Sequence, residues 1–288
     1  MDIPEGIYKT HGELFDAAHH LDQYSHQVLE KFNQKTIVLF DLRPCQRIFL
    51  FILTRSLKTY TSILYLCEKG YGQDASPLLR SLLENLITAQ YILHNPAISN
   101  DLAKRFVAYK WVILKRQLSD QEQHTERTKI ILEKAEEFKK TFKVKSDRAL
   151  LTWSGKTVRD MAKQIDKKWL YEYETIFRLC SRFSHPSILG DNEYMILDEK
   201  KLVFSSLPSD IGIVPNLPNA AKYCLEFLMI INDLFKFNCE KDITAHSQEL
   251  EKILHLPKYH NGFADTQPAD LKGPSIRDCI VTFQTQIN

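Results

Sequence analysis

Only 9 of the 288 residues are glycine, and over most of the chain apolar residues recur three and four positions apart. A backbone so poor in its most flexible residue has few places to turn sharply, and that recurrence traces one face of an α-helix. The expected fold class is therefore all-α, a multi-helix bundle. A first helix is expected over about Thr10 to Asn33, and a second from Pro44, a good first-turn residue, to Glu68, where Gly70 supplies the stop. The third opens at Asp74-Ala-Ser-Pro77, where Asp74 or Ser76 can cap and Pro77 suits the first turn, and runs to about His94.

The fourth helix covers about Ser99 to Gln117, and the segment from about Asp120 to Lys143 is charged nearly all round, so it should project into solvent. Thr157 to Asp166 reads as a short helix, and Lys168 to His185 as a longer one ended by Pro186. The period then changes. Tyr194-Met-Ile-Leu197 and Leu202-Val-Phe204 flank a charged turn, which predicts one small β-hairpin near 194–204. Pro208, Pro215 and Pro218 read as a linker. The helix from about Asn219 to Asn238 is apolar on almost every side and belongs at the centre. These elements suggest an N-terminal helical segment (1–47), a helical core domain (48–256) and a C-terminal tail (257–288).

Composition narrows the function classes. There are 38 Lys and Arg against 36 Asp and Glu, so any nucleic-acid binding must come from a local patch. One candidate is Asp101 to Arg148, where 13 basic residues face 8 acidic ones and Tyr109 and Trp111 interleave. The commoner meaning of such a segment is a solvated mixed-charge face. The six cysteines, Cys45, Cys67, Cys180, Cys224, Cys239 and Cys279, form no Cys-x-x-Cys pair, which points to buried thiols in a reducing, cytoplasmic setting. The start, MDIPEGIYKTHGELFD, lacks the basic and apolar pattern of a signal peptide, and no run approaches the roughly 20 apolar residues of a membrane span. His19, Asp22 and His26 share a helix face without an evident fourth ligand, so no metal is assigned. Neither a Walker loop, a dinucleotide fingerprint nor a nucleophile elbow is present, and no cofactor is expected.

Two constellations could carry chemistry. Arg80 and Glu84 lie four apart on the third helix, whose other stripe is Leu79, Leu82, Leu83 and Leu86. A charge pair on so apolar a helix should be buried, and Glu84 should then meet a further partner from a later helix. The second constellation is ETIFRLCSRFSHPS, in which Arg178, Ser181 and His185 fall on nearly one azimuth over two turns, flanked by Arg182. A fixed cation, a hydroxyl and an imidazole are what phosphodiester cleavage uses: histidine for proton transfer, arginine for charge developing on phosphate. The same residues also suit a structural role, with His185 at a helix C-terminus and Arg178 paired to Glu174 or Glu84.

The segments SPLLRSLLENLITAQYIL (Ser76 to Leu93), Leu102-Ala-Lys-Arg-Phe-Val-Ala-Tyr109, Trp153-Ser-Gly-Lys-Thr-Val-Arg-Asp-Met-Ala162 and Tyr171 to Tyr194 with SRFSHPS resemble a bacterial family, domain of unknown function 5677. Arg80, Glu84, Trp153, Ser181 and His185 are the most specific points of the resemblance, which implies a helical fold and no established activity. The spacing Arg178-x6-His185 is also similar to the Arg-x4-6-His motif of the HEPN superfamily. That superfamily includes metal-independent ribonucleases of toxin-antitoxin and phage-defence systems, with the motif at a composite dimer site. This chain carries Leu179 where those ribonucleases often have Asn, Asp or His. The resemblance implies RNA as substrate, a homodimer, and an antitoxin or defence component as protein partner. The competing expectation is a non-catalytic helical interaction module in which Arg80, Glu84, Arg178 and His185 form a buried structural network.

Overall fold

The computed structural model describes residues 5–34, 41–118, 125–144, 151–184, 195–198, 201–204, 206–256 and 259. The fold class is all-α. In chain order the elements are α1 (Glu5–Gln34), α2 (Pro44–Glu68), α3 (Ser76–Leu93), α4 (Ser99–Ala108), α5 (Lys110–Gln117), α6 (Glu126–Thr141), α7 (Val158–Ile165) and α8 (Lys167–Glu172). A π-helical turn (Tyr173–Phe177) leads into α9 (Arg178–Ser184). The strands β1 (Met195–Asp198) and β2 (Lys201–Phe204) follow, then α10 (Ile213–Phe235) and α11 (Glu240–Leu254). β1 and β2 pair antiparallel with Met195 opposite Phe204, the small hairpin that the change of period foretells. The tail beyond Tyr259 lies outside the described residues.

Two compact units emerge from the contacts. The first comprises Met1–Thr36, Leu53–Leu86 and Leu170–Asn288, and the second Ile37–Ile52 and Ile87–Trp169. In the first, α10 packs against α1 and α11 and is buried along most of its length, as its all-round apolar sequence requires. Phe15, Tyr60, Tyr223 and Phe227 are fully enclosed there, and the Tyr60 hydroxyl donates to the Ala18 carbonyl at 2.9 Å. Each such ring contributes roughly 1.5–3 kcal/mol by leaving water.

Two of the three prolines behave otherwise than as a linker: Pro215 and Pro218 lie inside α10. Pro215 is in the first turn, where backbone N–H groups have no helical partner in any case. Around Pro218 polar side chains take up carbonyl groups: Asn219 Nδ2 donates to the Pro215 carbonyl at 2.8 Å, and Asn216 Nδ2 to that of Gly212 at 2.7 Å. Asn216 also donates to the Gly72 carbonyl at 2.7 Å and accepts from the Ser76 hydroxyl at 3.2 Å, so Ser76 opens α3 while bonded to α10. The backbones of Gly72 and Gly212 touch here. A Cβ on Gly72 would sit 2.5 Å from the Ile213 nitrogen, and Gly212 adopts φ +81°. α11 is amphipathic, burying Ile243, Leu250 and Ile253, and the periodicity argument does not single it out.

In the second unit the expected single helix over Ser99 to Gln117 is interrupted at Tyr109. There the Val112 N–H reaches the Tyr109 carbonyl at 3.0 Å, an i to i+3 bond that tightens one turn. α6 differs more from expectation. It packs along α5 and buries Thr128, Ile131, Ala135 and Phe138, three, four and three apart, so it is a half-buried helix and does not project freely into solvent. Phe138 meets the Tyr109 ring at 5.9 Å, and Lys115 reaches Glu136 at 2.9 Å. α7 begins with a reciprocal capping box between Thr157 and Asp160, whose carboxyl is held below the ordinary range by the Thr157 hydroxyl.

Candidate functional site

Arg80 and Glu84 occupy one face of α3 because four residues make about one helical turn. Arg80 Nε donates to Glu84 Oε1 at 3.2 Å. The burial expected for this pair is not what the structure shows. Their side chains are 28% and 36% exposed, since Leu79, Leu82, Leu83 and Leu86 turn inward and leave this stripe at the surface. The link to the later helix is made by Arg80: its Nη1 donates to Ser181 Oγ at 3.4 Å, and Ser181 in turn donates to the Phe177 carbonyl at 2.6 Å. Among the described residues Glu84 reaches that helix only through Arg80.

A third group fixes the guanidinium. Its central carbon lies 3.9 Å from the centroid of the Phe177 ring, and the Tyr173 ring stacks on Phe177 at 4.3 Å with 24° between planes. Two flat groups at those distances cannot share one face, so Phe177 is sandwiched between guanidinium and phenol. Cation–π contact on an arginine also held by hydrogen bonds limits its rotation. Tyr173 and Phe177 bound the π-helical turn, whose wider winding displaces every following side chain in azimuth. The sequence predicts one uninterrupted helix here, and this turn is where the structure departs from it.

The turn starts next to a buried anchor. Glu172 is 3% exposed, accepts from the Tyr223 hydroxyl at 2.8 Å and pairs with Lys222 of α10. A buried carboxylate with both a cation and a hydroxyl donor is compensated, and removing either partner would strand charge in a poor solvent for it. Cys180, enclosed on the opposite side of α9 from the solvent, has its thiol pushed up to about 12 by burial, too high to be a nucleophile at neutral pH.

The candidate residues therefore divide. Arg80, Glu84 and Ser181 come together. Arg178 lies at the start of α9 with its side chain exposed. His185 and the Arg182 side chain lie outside the described residues. Trp153, one of the points of family resemblance, packs edge-on against Tyr91 and Phe106 in the second unit at 5.9 and 5.3 Å, the arrangement of a core aromatic. His19 pairs with Glu68, Asp22 accepts from Thr61 at 2.7 Å, and His26 lies 2.9 Å from the Asp22 carbonyl. Among the described residues no group of three His, Cys, Asp or Glu side chains is arranged to hold a metal ion. Sequence reasoning missed Phe177, Tyr173 and the Glu172–Lys222–Tyr223 cluster. The four-residue step from Tyr173 to Phe177 is the only local signal that points toward any of them.

No described helix is long and apolar enough to cross a membrane. No curated protein and no solved structure matches the chain. A family model described as a family of unknown function (DUF5677) matches residues 46–202, a stretch that contains Arg80, Glu84, Arg178, Ser181 and His185. That match covers more than half of the 288 residues, and the chain belongs to this family of unknown function.

Proposed function

We propose that this protein is a HEPN-like, metal-independent ribonuclease whose site residues are Arg178, Ser181, His185, Arg80 and Glu84. The observation that supports the reading is exposure: Arg80 and Glu84 of α3 are partly exposed, Arg80 bonds Ser181 of α9, and Arg178 of that same short helix is exposed. A buried structural network has no need of cations in water, whereas a phosphate must be able to reach them. In the proposed reaction a His185 imidazole takes the proton of a ribose 2′-hydroxyl as its oxygen bonds to the adjacent phosphorus. The bond to the 5′-oxygen breaks, a second His185, in its imidazolium form, gives that oxygen a proton, and a 2′,3′-cyclic phosphate remains. Arg178 neutralises charge gathering on the phosphoryl oxygens, and Glu84, Ser181 and Phe177 hold Arg80 in place. One chain offers one His185, so the acid and the base come from the two copies of a homodimer related by a two-fold axis. Such an enzyme fits a toxin or phage-defence role held in check by a protein partner.

A second reading, a non-catalytic interaction module, draws on a different observation. Arg80 is engaged by Glu84, Ser181 and the Phe177 ring at once, which is how a structural cross-link looks. Total RNA incubated with purified protein in excess chelator separates the two. Cleavage by wild type that His185→Ala and Arg178→Ala abolish is the expected result; intact RNA, or cleavage that persists in both variants, refutes the ribonuclease.

A further inference from the structure

The exposed side of α2 carries cations with no carboxylate interleaved among them. Its outward residues between Thr54 and Tyr65 are Thr54, Arg55, Lys58, Ser62 and Tyr65. At 3.6 residues per turn these fall within a sector of about 100°, and Arg55 to Tyr65 spans about 15 Å along the axis. The only acidic residue of α2 is Glu68, which is buried and engaged by His19. Neither Arg55 nor Lys58 forms an ion pair among the described residues. The basic stretch after Asp101 looks stronger in sequence but interleaves its cations with carboxylates, and four of the cations are paired. There Lys115 and Lys139 share Glu136, Lys134 takes Glu137, and Lys104 reaches Asp101 at 3.6 Å.

We infer that this face of α2 is a track for single-stranded RNA, with Arg55 and Lys58 on successive backbone phosphates and the Tyr65 ring, 56% exposed, stacking one base. The inference rests on the ribonuclease reading for its choice of polyanion and adds the place where the strand runs. Unpaired cations attract a chain of phosphates by releasing its counterions, and an exposed aromatic next to them gives the base a surface without sequence preference. The hydroxyls of Thr59 and Ser62 are turned back to the carbonyls of Arg55 and Lys58 at 3.1 and 2.9 Å, which leaves phosphate contact to the two cations. An anionic membrane is the poorer match, because a helix lying in a bilayer interface needs a broad apolar face and this sector holds two exposed rings, Phe51 and Tyr65, among hydroxyls and cations.

The test is fluorescence anisotropy of the full chain with a labelled 2′-O-methyl oligouridylate, which has no 2′-hydroxyl to attack and so reports binding apart from cleavage. Across a salt series the Arg55→Ala/Lys58→Ala variant is expected to lose about 1.4 from the slope of log affinity against log salt, at 0.7 per phosphate. Tyr65→Ala should weaken binding roughly tenfold at every salt concentration without changing the slope. Lys252→Ala, an exposed cation on α11, should change neither. No binding by wild type at low salt, an unchanged slope in the double variant, or retention by phosphatidylserine vesicles in place of the oligonucleotide overturns the track. Binding that follows these expectations in a protein that cleaves no RNA overturns the ribonuclease and leaves the track standing. Cleavage that needs His185, in a protein whose slope the double variant leaves unchanged, does the reverse.

Discussion

Replacing Glu84 by alanine measures how much the Arg80 pair contributes to the fold. Were the pair fully buried, the variant would leave an uncompensated guanidinium in the interior and lose about 3–5 kcal/mol. The structure argues for far less. The two side chains are 28% and 36% exposed, at the spacing typical of surface helix pairs, whose contribution is about 0.3–0.5 kcal/mol. Arg80 also keeps two partners in the variant, the Ser181 hydroxyl at 3.4 Å and the Phe177 ring at 3.9 Å, so no donor is stranded without either protein or water. The expected loss is below about 1 kcal/mol, which for a chain of this size moves the melting temperature by no more than about 2–4 °C. Urea unfolding with an unchanged m-value is the better assay, because it shows that the same surface is exposed in both proteins. Arg80→Ala should cost more, about 1–2 kcal/mol, since it removes the ion pair, the Ser181 bond and the cation–π contact together. A double-mutant cycle should return a coupling of only a few tenths of a kcal/mol between the two positions. A loss of 3 kcal/mol or more from Glu84→Ala would refute the reasoning and restore the buried network.

Asn216→Leu should destabilise by about 2 kcal/mol, because it removes the side-chain donor to the buried Gly72 carbonyl and the acceptor for Ser76 at the point where Gly72 and Gly212 touch; a urea midpoint within error of wild type would contradict the hydrogen-bond assignment. Burial raises the thiols of Cys67, Cys180 and Cys224, so Ellman's reagent at pH 8 should leave these three unmodified in the native protein and reach all six cysteines in urea. Burial also depresses His246, which faces Glu249, His20, Asp242 and the Tyr24 ring. Below its unfolded value near 6.5 the unfolded chain binds the proton more readily than the folded one, so its contribution is present above about pH 6.5 and is lost as the pH falls below it. Denaturation at pH 7.5 and pH 5 should show that loss, and His246→Gln should reduce it.

What the sequence made legible follows from which forces are local. The limits of α2 and α3 could be read because Pro44, Gly70 and Pro77 act on their own turn of backbone, and the buried positions of α2, from Phe49 through Leu53, Leu57, Tyr60 and Ile63 to Cys67, keep the three-and-four spacing throughout. α6 reads as solvent-facing because its charges outnumber its apolar residues, yet Ile131, Ala135 and Phe138 are enough to hold it on α5. Pro215 and Pro218 read as breakers because nothing local shows that Pro215 falls in the first turn of a helix or that the helix continues past Pro218. The site was half visible. Arg80 and Glu84 are neighbours by helix geometry alone, but Arg80 meets Ser181 across 101 positions, and no local pattern announces that contact. The π-helical turn leaves no trace in the periodicity, since it shifts phase by a single residue.

The two arginines of the site have opposite circumstances, and that opposition separates the readings. Arg80 has its rotation limited on three sides, so it contributes to stability whether or not RNA is ever bound. The Arg178 side chain is exposed, and exposed side chains away from special features usually change stability by less than about 0.5 kcal/mol when truncated. A structural network gains nothing from Arg178, whereas a site that gathers charge on a phosphorane loses about a hundredfold or more in rate when such a cation is removed. Stability and cleavage should therefore move independently across the pair: Arg80→Ala lowers both, while Arg178→Ala lowers cleavage alone. If the two variants instead share one profile, with melting and activity falling in proportion, the arginines act through the fold and the interaction-module reading accounts for them with fewer assumptions.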